Sequence, residues 1–252
     1  MITVGVDLGA EPKNTAIALV EWSADAAAVV GLALGQTDTD ILNACEGAEK
    51  VGIDAPFGWP DAFVDFVSRH LRHELSVGEV NLGHRRKLSN RLTDLYVNEM
   101  CGVKPLSVAS DRIASVAMRC AGIQTQFADR YLPASRSGAG RLVEVYPAAA
   151  LEIWGLKNKS YKRAEGKDAL RKLCGEFQAL TPWLQISEEF ADQMATNDDG
   201  FDAVISALIA KAACDGNLIE DIPSADLPAA ETEGWIAIPK ADSLTHLVAL
   251  DH

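Results

Sequence analysis

Three aspartates occupy positions where a freely solvated acid is not expected. Asp7 lies at the end of the strand-like run ITVGVDL, residues 2–8, directly before Leu8-Gly9. Asp54 ends a second such run in VGIDAPFGWP, residues 51–60, where Pro56 blocks simple continuation of a central strand. Asp202 leads the i, i+3, i+7 series Asp202, Ile205, Ile209 within DDGFDAVISALIA, a spacing that marks the core-facing stripe of a helix. An ionised carboxylate in such places is costly unless it is paired or bound to metal. If the first and second runs are parallel neighbours, Asp7 and Asp54 meet at the sheet edge where open α/β sheets favour ligands. Converging carboxylates repel and raise a pKa unless a divalent cation neutralises them. Hard oxygen donors without a nearby His or Cys select Mg²⁺ or Mn²⁺ over zinc. The ordinary alternative for Asp7 is a solvated turn cap.

Four further groups could join this chemistry. Asp199, one turn before Asp202 on the same helix face, is either a ligand or an acid favoured by the helix dipole; Asn197 or Asp198 is the natural cap. Glu144 in RLVEVYP is either a fourth metal ligand or an outward residue on an edge strand, since strand alternation is compatible with both. In Arg91-Leu-Thr-Asp94, Arg91 suits a phosphate or a carboxylate, and Asp94 either pairs with it or joins the site. The knot HRRKLSNR places Arg85, Arg86 and Lys87 together, and residues 157–172 carry seven bases against Glu165 and Asp168. Both stretches read as phosphate-facing patches or as solvated loops. No GxxxxGK[ST], HExxH or GxSxG motif occurs, and the five histidines lack metal-site spacing.

The elements that must position these groups follow from punctuation and period. Residues 2–8, 15–22 and 27–34 read as three strands joined by turn-rich links, hence an antiparallel meander. A short helix at 37–45, capped by Thr37 or Asp38, leads to a fourth strand at 50–54; this crossover predicts that it runs parallel to the first. Helices are expected at 62–75 after Asp61 and from Ser110 or Asp111 towards 129, with an irregular polar segment at 76–106 between them. A fifth strand at 141–146 precedes Pro147 in a helical first turn. Helices at 167–179, 187–195 and 199–214 follow, then a short edge strand at 234–239; the Gly-rich stretch 135–141 reads as a mobile loop. The order is β-β-β-α-β-α-β-α, that of a ribonuclease H-like α/β fold with helices on both faces. One domain over 1–252 is expected, with a helical and loop insertion at about 60–130 and a C-terminal helix and strand extension.

Composition sets the outer bounds. The 252 residues suffice for one large α/β domain, and the formal charge of −13 argues against a general polyanion binder. That charge is uneven, with fourteen acids against two bases from Glu188 onward, so local charge near a site decides. Five scattered cysteines, never spaced CxxC, argue for reduced thiols in a cytoplasm. No apolar run reaches spanning length, and Met1 leads directly into a strand, so neither a membrane partner nor a leader is expected.

VGVDLG, VGIDAPFGWP, RLTD, VEVYPAA and DDGFDAVISALIA, in this order and spacing, resemble the uncharacterised family called domain of unknown function 429, a predicted nuclease group with the ribonuclease H fold. The resemblance runs from residue 2 to about 239. It implies a metal-dependent nuclease whose acidic site is Asp7, Asp54, Glu144 and Asp202, with Asp199, Arg91 and Asp94 at further motif positions. The corresponding expectation is two-metal phosphodiester hydrolysis: Asp7 between two Mg²⁺ or Mn²⁺ ions, Asp54 and Asp202 completing one each, and Glu144 orienting water. Arg91 and the basic segments would position phosphates of a nucleic acid. Two rivals stand beside it. One is a non-catalytic binding protein on the same scaffold. The other is a phosphotransferase of the actin and sugar-kinase type, for which the chain is short and lacks a second DxG hairpin.

Overall fold

The computed structural model describes residues 1–76, 81–131, 134–156, 160–162 and 166–248. Lys157, Lys159, Arg163 and Glu165 of the basic segment, and His252, lie outside them. A seven-stranded mixed sheet runs through the molecule: β1 (Ile2–Asp7), β2 (Ala16–Trp22), β3 (Ala27–Leu34), β4 (Lys50–Asp54), β5 (Leu142–Val145), β6 (Leu184–Gln185) and β7 (Ile236–Ala237), in the order β6-β3-β2-β1-β4-β5-β7. β1, β2 and β3 form the antiparallel meander. β4 lies parallel to β1, β5 to β4 and β7 to β5. The crossover between β3 and β4 is helix α1 (Asp38–Ala44), whose N-cap Thr37 accepts from Asp40 N, as its Thr-x-x-Asp pattern predicts.

Side-chain alternation divides the sheet into two covered faces. Val4, Val6, Val51, Ile53 and Leu142 enter one apolar layer with α1 and residues of α5 (Ala114–Arg130). Ala16, Ala18, Val20, Val143 and Val145 enter the other, beneath α9 (Asp198–Cys214). Almost the whole of α9 is buried, as expected of a helix whose residues from Phe201 to Ala213 are apolar apart from Asp202, Ser206 and Lys211. It lies unusually close to β1 and β4. A Cβ on Gly5 would stand 2.0 Å from the Ala203 carbonyl oxygen, and one on Gly52 2.5 Å from that of Ser206. Gly5 and Gly52 are register partners, so the two glycines make a bare strip on which the helix backbone rests.

The segment at 76–106 differs from expectation. Its described part holds α3 (Leu82–Ser89) and α4 (Leu92–Cys101), after α2 (Asp61–Leu71). α3 is polar, with Leu88 its buried residue; α4 scatters its apolar residues around the helix and buries Thr93, Asp94 and Val97. α3 is held by its Asn81 cap, and α4 by ionic anchors and by Val97 packed on Ile236, so neither shows the apolar stripe that marks a helix in sequence. α5 begins at Ala114 without a side-chain cap, because Asp111 accepts from Ser107 N instead. The stretch 135–141 is tied down: Lys50 Nζ donates to the Gly138 and Gly140 carbonyls, and Ser135 and Ser137 donate to Glu231. β6 and α10 (Leu227–Glu233), both short, complete the outline with α6 (Pro147–Ile153), α7 (Lys167–Leu180) and α8 (Glu188–Thr196). Among the described residues no helix is long and apolar enough to cross a membrane.

Candidate metal centre

Asp7 and Asp54 are direct register partners at the carboxyl ends of parallel β1 and β4. By alternation they share a face with Gly5 and Gly52, the face against which α9 packs. Asp202 lies in the first turns of that helix, buried at 0% relative exposure. Asp7, Asp54 and Asp202 can each present a carboxylate oxygen such that the three atoms lie within 4.8 Å of one another. The close approach allowed by the glycine strip brings the helix acid down to the strand acids.

Burial, and then the charge of Asp202, push the Asp7 carboxyl well above the usual carboxylate range. Burial likewise pushes Asp54 up to about 7, with the nearby Lys162 ammonium pulling the other way. A cluster that resists ionising by itself is one whose ionised form calls for a cation. Lys162 partly answers that need. Its Nζ stands 2.6 Å from Asp202 Oδ2, while 48% of its side chain remains exposed. The contact is one of charge without hydrogen-bond alignment, since Oδ2 has no hydrogen-bond partner among the described residues. Asp202 Oδ1 accepts from the Tyr161 hydroxyl at 2.8 Å. The donor set therefore fits a hard divalent cation: carboxylate oxygens alone, one of them held in orientation and another facing a displaceable ammonium.

Glu144 does not join the three aspartates. Its register partner is Ile53, so alternation sends its side chain to the face opposite Asp54. There it is buried rather than solvated, and Arg91 grips it in a bidentate pair, Nη1 to Oε2 at 2.9 Å and Nη2 to Oε1 at 2.7 Å. Oε2 also accepts from Phe57 N at 2.9 Å, which ties the APFGWP turn to β5. Arg91 Nε and Nη2 donate to Asp94, and Nη1 donates to the Glu233 carbonyl. All five guanidinium hydrogens are thus engaged inside the protein, leaving none for a phosphate. Removing one partner of such a buried pair costs about 3–5 kcal/mol. Asp94 completes the pairing and accepts from Arg91 N at the start of α4, apart from the metal centre. Asp199 sits beside the cluster: burial and Asp198 raise its pKa, and a hydrogen-bonding contact with Asp7 lowers it.

A cavity of about 760 Å³ opens over the carboxylates, with Asp7, Asp54, Glu144 and Arg91 on its lining and Lys104, Arg112 and Lys162 among its walls. Lys104, Arg112 and Tyr161 were not singled out in the sequence. Lys162 belonged to the basic run at 157–172, which was the legible signal. Arg85 and Arg86 line a smaller neighbouring cavity; Lys87, also exposed, lines neither.

The family model described as Protein of unknown function (DUF429) matches residues 5–227, and the chain belongs to that family. No curated protein and no solved structure matches the chain.

Proposed function

We propose that this member of the DUF429 family is a metal-dependent nuclease of ribonuclease H-like fold, hydrolysing phosphodiester bonds by a two-metal mechanism. The observation that carries the reading is the convergence of Asp202 with Asp7 and Asp54, the last two lining a cavity walled by Lys104, Arg112 and Lys162. The fold assignment is supported by the meander of β1–β3, the parallel strands β4 and β5, and helices on both faces. Bound Mg²⁺ or Mn²⁺ would supply Lewis-acid charge and a water acidic enough to ionise near neutral pH. Asp7, Asp54 and Asp202 would hold the cations. Tyr161 fixes Asp202 through Oδ1, which leaves Oδ2 without a hydrogen bond among the described residues. Lys104 and Arg112 bind the non-bridging oxygens of the phosphate, and Glu144, held by Arg91, braces the wall between β5 and the turn after β4.

The test is cleavage of single-stranded, duplex, hybrid and branched substrates with Mn²⁺ or Mg²⁺, comparing wild type with Asp7→Asn. Loss of one carboxylate from the centre is expected to lower the rate at least about 100-fold, roughly 3 kcal/mol of transition-state stabilisation. Equal rates for the two proteins would remove Asp7 from the chemistry. One observation favours the second reading, a non-catalytic binding protein: Lys162 already balances part of the carboxylate charge. Absence of both cleavage and calorimetric Mn²⁺ binding would select it.

A further inference from the structure

Beside the cavity over the carboxylates lies a second one of about 360 Å³, sharing Lys104 and Pro105 with it. Arg85 and Arg86, adjacent on α3, line it together with Lys104, and among the described residues its one acid is Asp111. Asp111 is partly committed, because Oδ2 accepts from Ser107 N at 2.8 Å. The wall is built rather than loose. Ser107 Oγ donates to the Ser89 carbonyl and accepts from Ser110 N at 3.2 Å, which clamps the loop after α4 onto the end of α3. Among the described residues, the side chains of Arg85, Arg86, Lys104 and Arg112 make no ion pair and no hydrogen bond, although acids outnumber bases 36 to 23 in the whole chain. Four unpaired cations in one track, on a chain of net charge −13, make a local reversal of sign that folding itself does not use.

We infer that the Arg85–Arg86–Lys104 cavity is a second phosphate subsite, which takes a backbone phosphate of a nucleic-acid strand whose scissile bond lies over the carboxylates. The inference rests on the nuclease reading for its direction and extends it to the substrate class: a strand with several phosphates, not a lone phosphodiester. Arg forks suit phosphate oxygens, and the shared Lys104 links the two cavities as one path. Among the described residues no aromatic side chain lines the smaller cavity, so it offers no stacking platform and reads backbone, not base.

The test is fluorescence anisotropy of a labelled single-stranded oligonucleotide over a salt series, with wild type, Arg85→Gln/Arg86→Gln and Lys104→Gln. All three positions are exposed, so the variants should melt as the wild type does. For single strands each phosphate contact contributes about 0.7 to the slope of log affinity against log salt, so the double variant should lose about 1.4. Its affinity at low salt should fall at least about tenfold for every sequence tried, while turnover of bis-p-nitrophenyl phosphate keeps its rate. An unchanged slope and affinity in the double variant, or no strand binding by wild type, would overturn the subsite. Displacement by tripolyphosphate as effective as by unlabelled strand would also overturn it, in favour of a small polyanion. The two readings fail separately. Strand binding with the expected slopes but no cleavage keeps the subsite and removes the nuclease; Asp7-dependent cleavage with an unaltered slope does the reverse.

Discussion

At the scale of single residues, the telling contact is between Lys162 and Asp202. Burial opposes the Lys162 charge, but Asp202, Tyr161, Asp7 and Asp54 outweigh it and raise its pKa well above the ordinary lysine value. On the proposed reading, a divalent cation among the three carboxylates would compete with this ammonium for Asp202. Asp202 is buried but 48% of the Lys162 side chain is exposed, so solvent screens the pair to a strength of the order of 1 kcal/mol. Lys162→Met should therefore bind Mn²⁺ roughly fivefold more tightly in calorimetric titration. Asp202→Asn, which removes a ligand, should bind more weakly. An affinity unchanged in Lys162→Met would mean that the ammonium and the metal do not share a position. Lys162 also shows why this part of the site was hard to read. Its basic neighbourhood was visible in the sequence, but the pairing of position 162 with position 202 arises only when the chain folds.

At the scale of elements, the site depends on how closely one helix can lie on two strands. VGVD and VGID repeat the same pattern, and each places a glycine two residues before the aspartate. Period-two alternation then puts glycine and acid on one face, so the strip that seats α9 points directly at the carboxylates. A Cβ at Gly5 would also stand 2.3 Å from Ala207 N, with backbone on every side and no flexible side chain to yield. Gly5→Ala should accordingly cost about 3 kcal/mol or more in urea unfolding, at or beyond the usual upper range for overpacking. Metal affinity should fall with it, as Asp202 is lifted from Asp7 and Asp54. A loss below about 1 kcal/mol would show that α9 can slide without consequence. The same alternation explains what the sequence concealed. Strands β1 to β5 and β7, with α1 and α9, were legible because apolar period and caps mark them, whereas the two-residue β6 was too short to show. The direction of Glu144 was not, since it hangs on the register of β5 against β4, which seats Glu144 beside Ile53 and not beside Asp54. Helices α3 and α4 escaped for another reason: Arg91, Asp94, Glu144 and Glu233 hold that region through charges far apart in the chain.

At the scale of the whole molecule, the buried acids make stability depend on pH in an unusual direction. In the unfolded chain an aspartate titrates near 3.9. In the folded protein burial pushes Asp54 up to about 7 and Asp7 well above its ordinary value. Between about pH 4 and 7 the folded state thus retains protons that the unfolded chain has released, and by linkage these two groups make stability fall as pH rises through that window. Carboxylates with depressed pKa values, such as Asp40 beside Thr37, act in the opposite sense and lose their contribution in acid. The wild-type profile mixes both, so the informative quantity is a difference. Asp54→Asn cannot ionise, and its metal-free melting temperature should decline less than that of wild type from about pH 5 to about pH 8. A divalent cation would bind the ionised form, so protons would compete with it at low pH. At 100 times its Kd the cation stabilises the fold by about 2.7 kcal/mol. Mn²⁺ should then raise the wild-type melting temperature strongly near pH 8 and little near pH 5, with most of that gain absent in Asp54→Asn. A metal-induced shift that is equal at both pH values would place the cation away from these carboxylates, and the acids at the ends of β1 and β4 would need another partner.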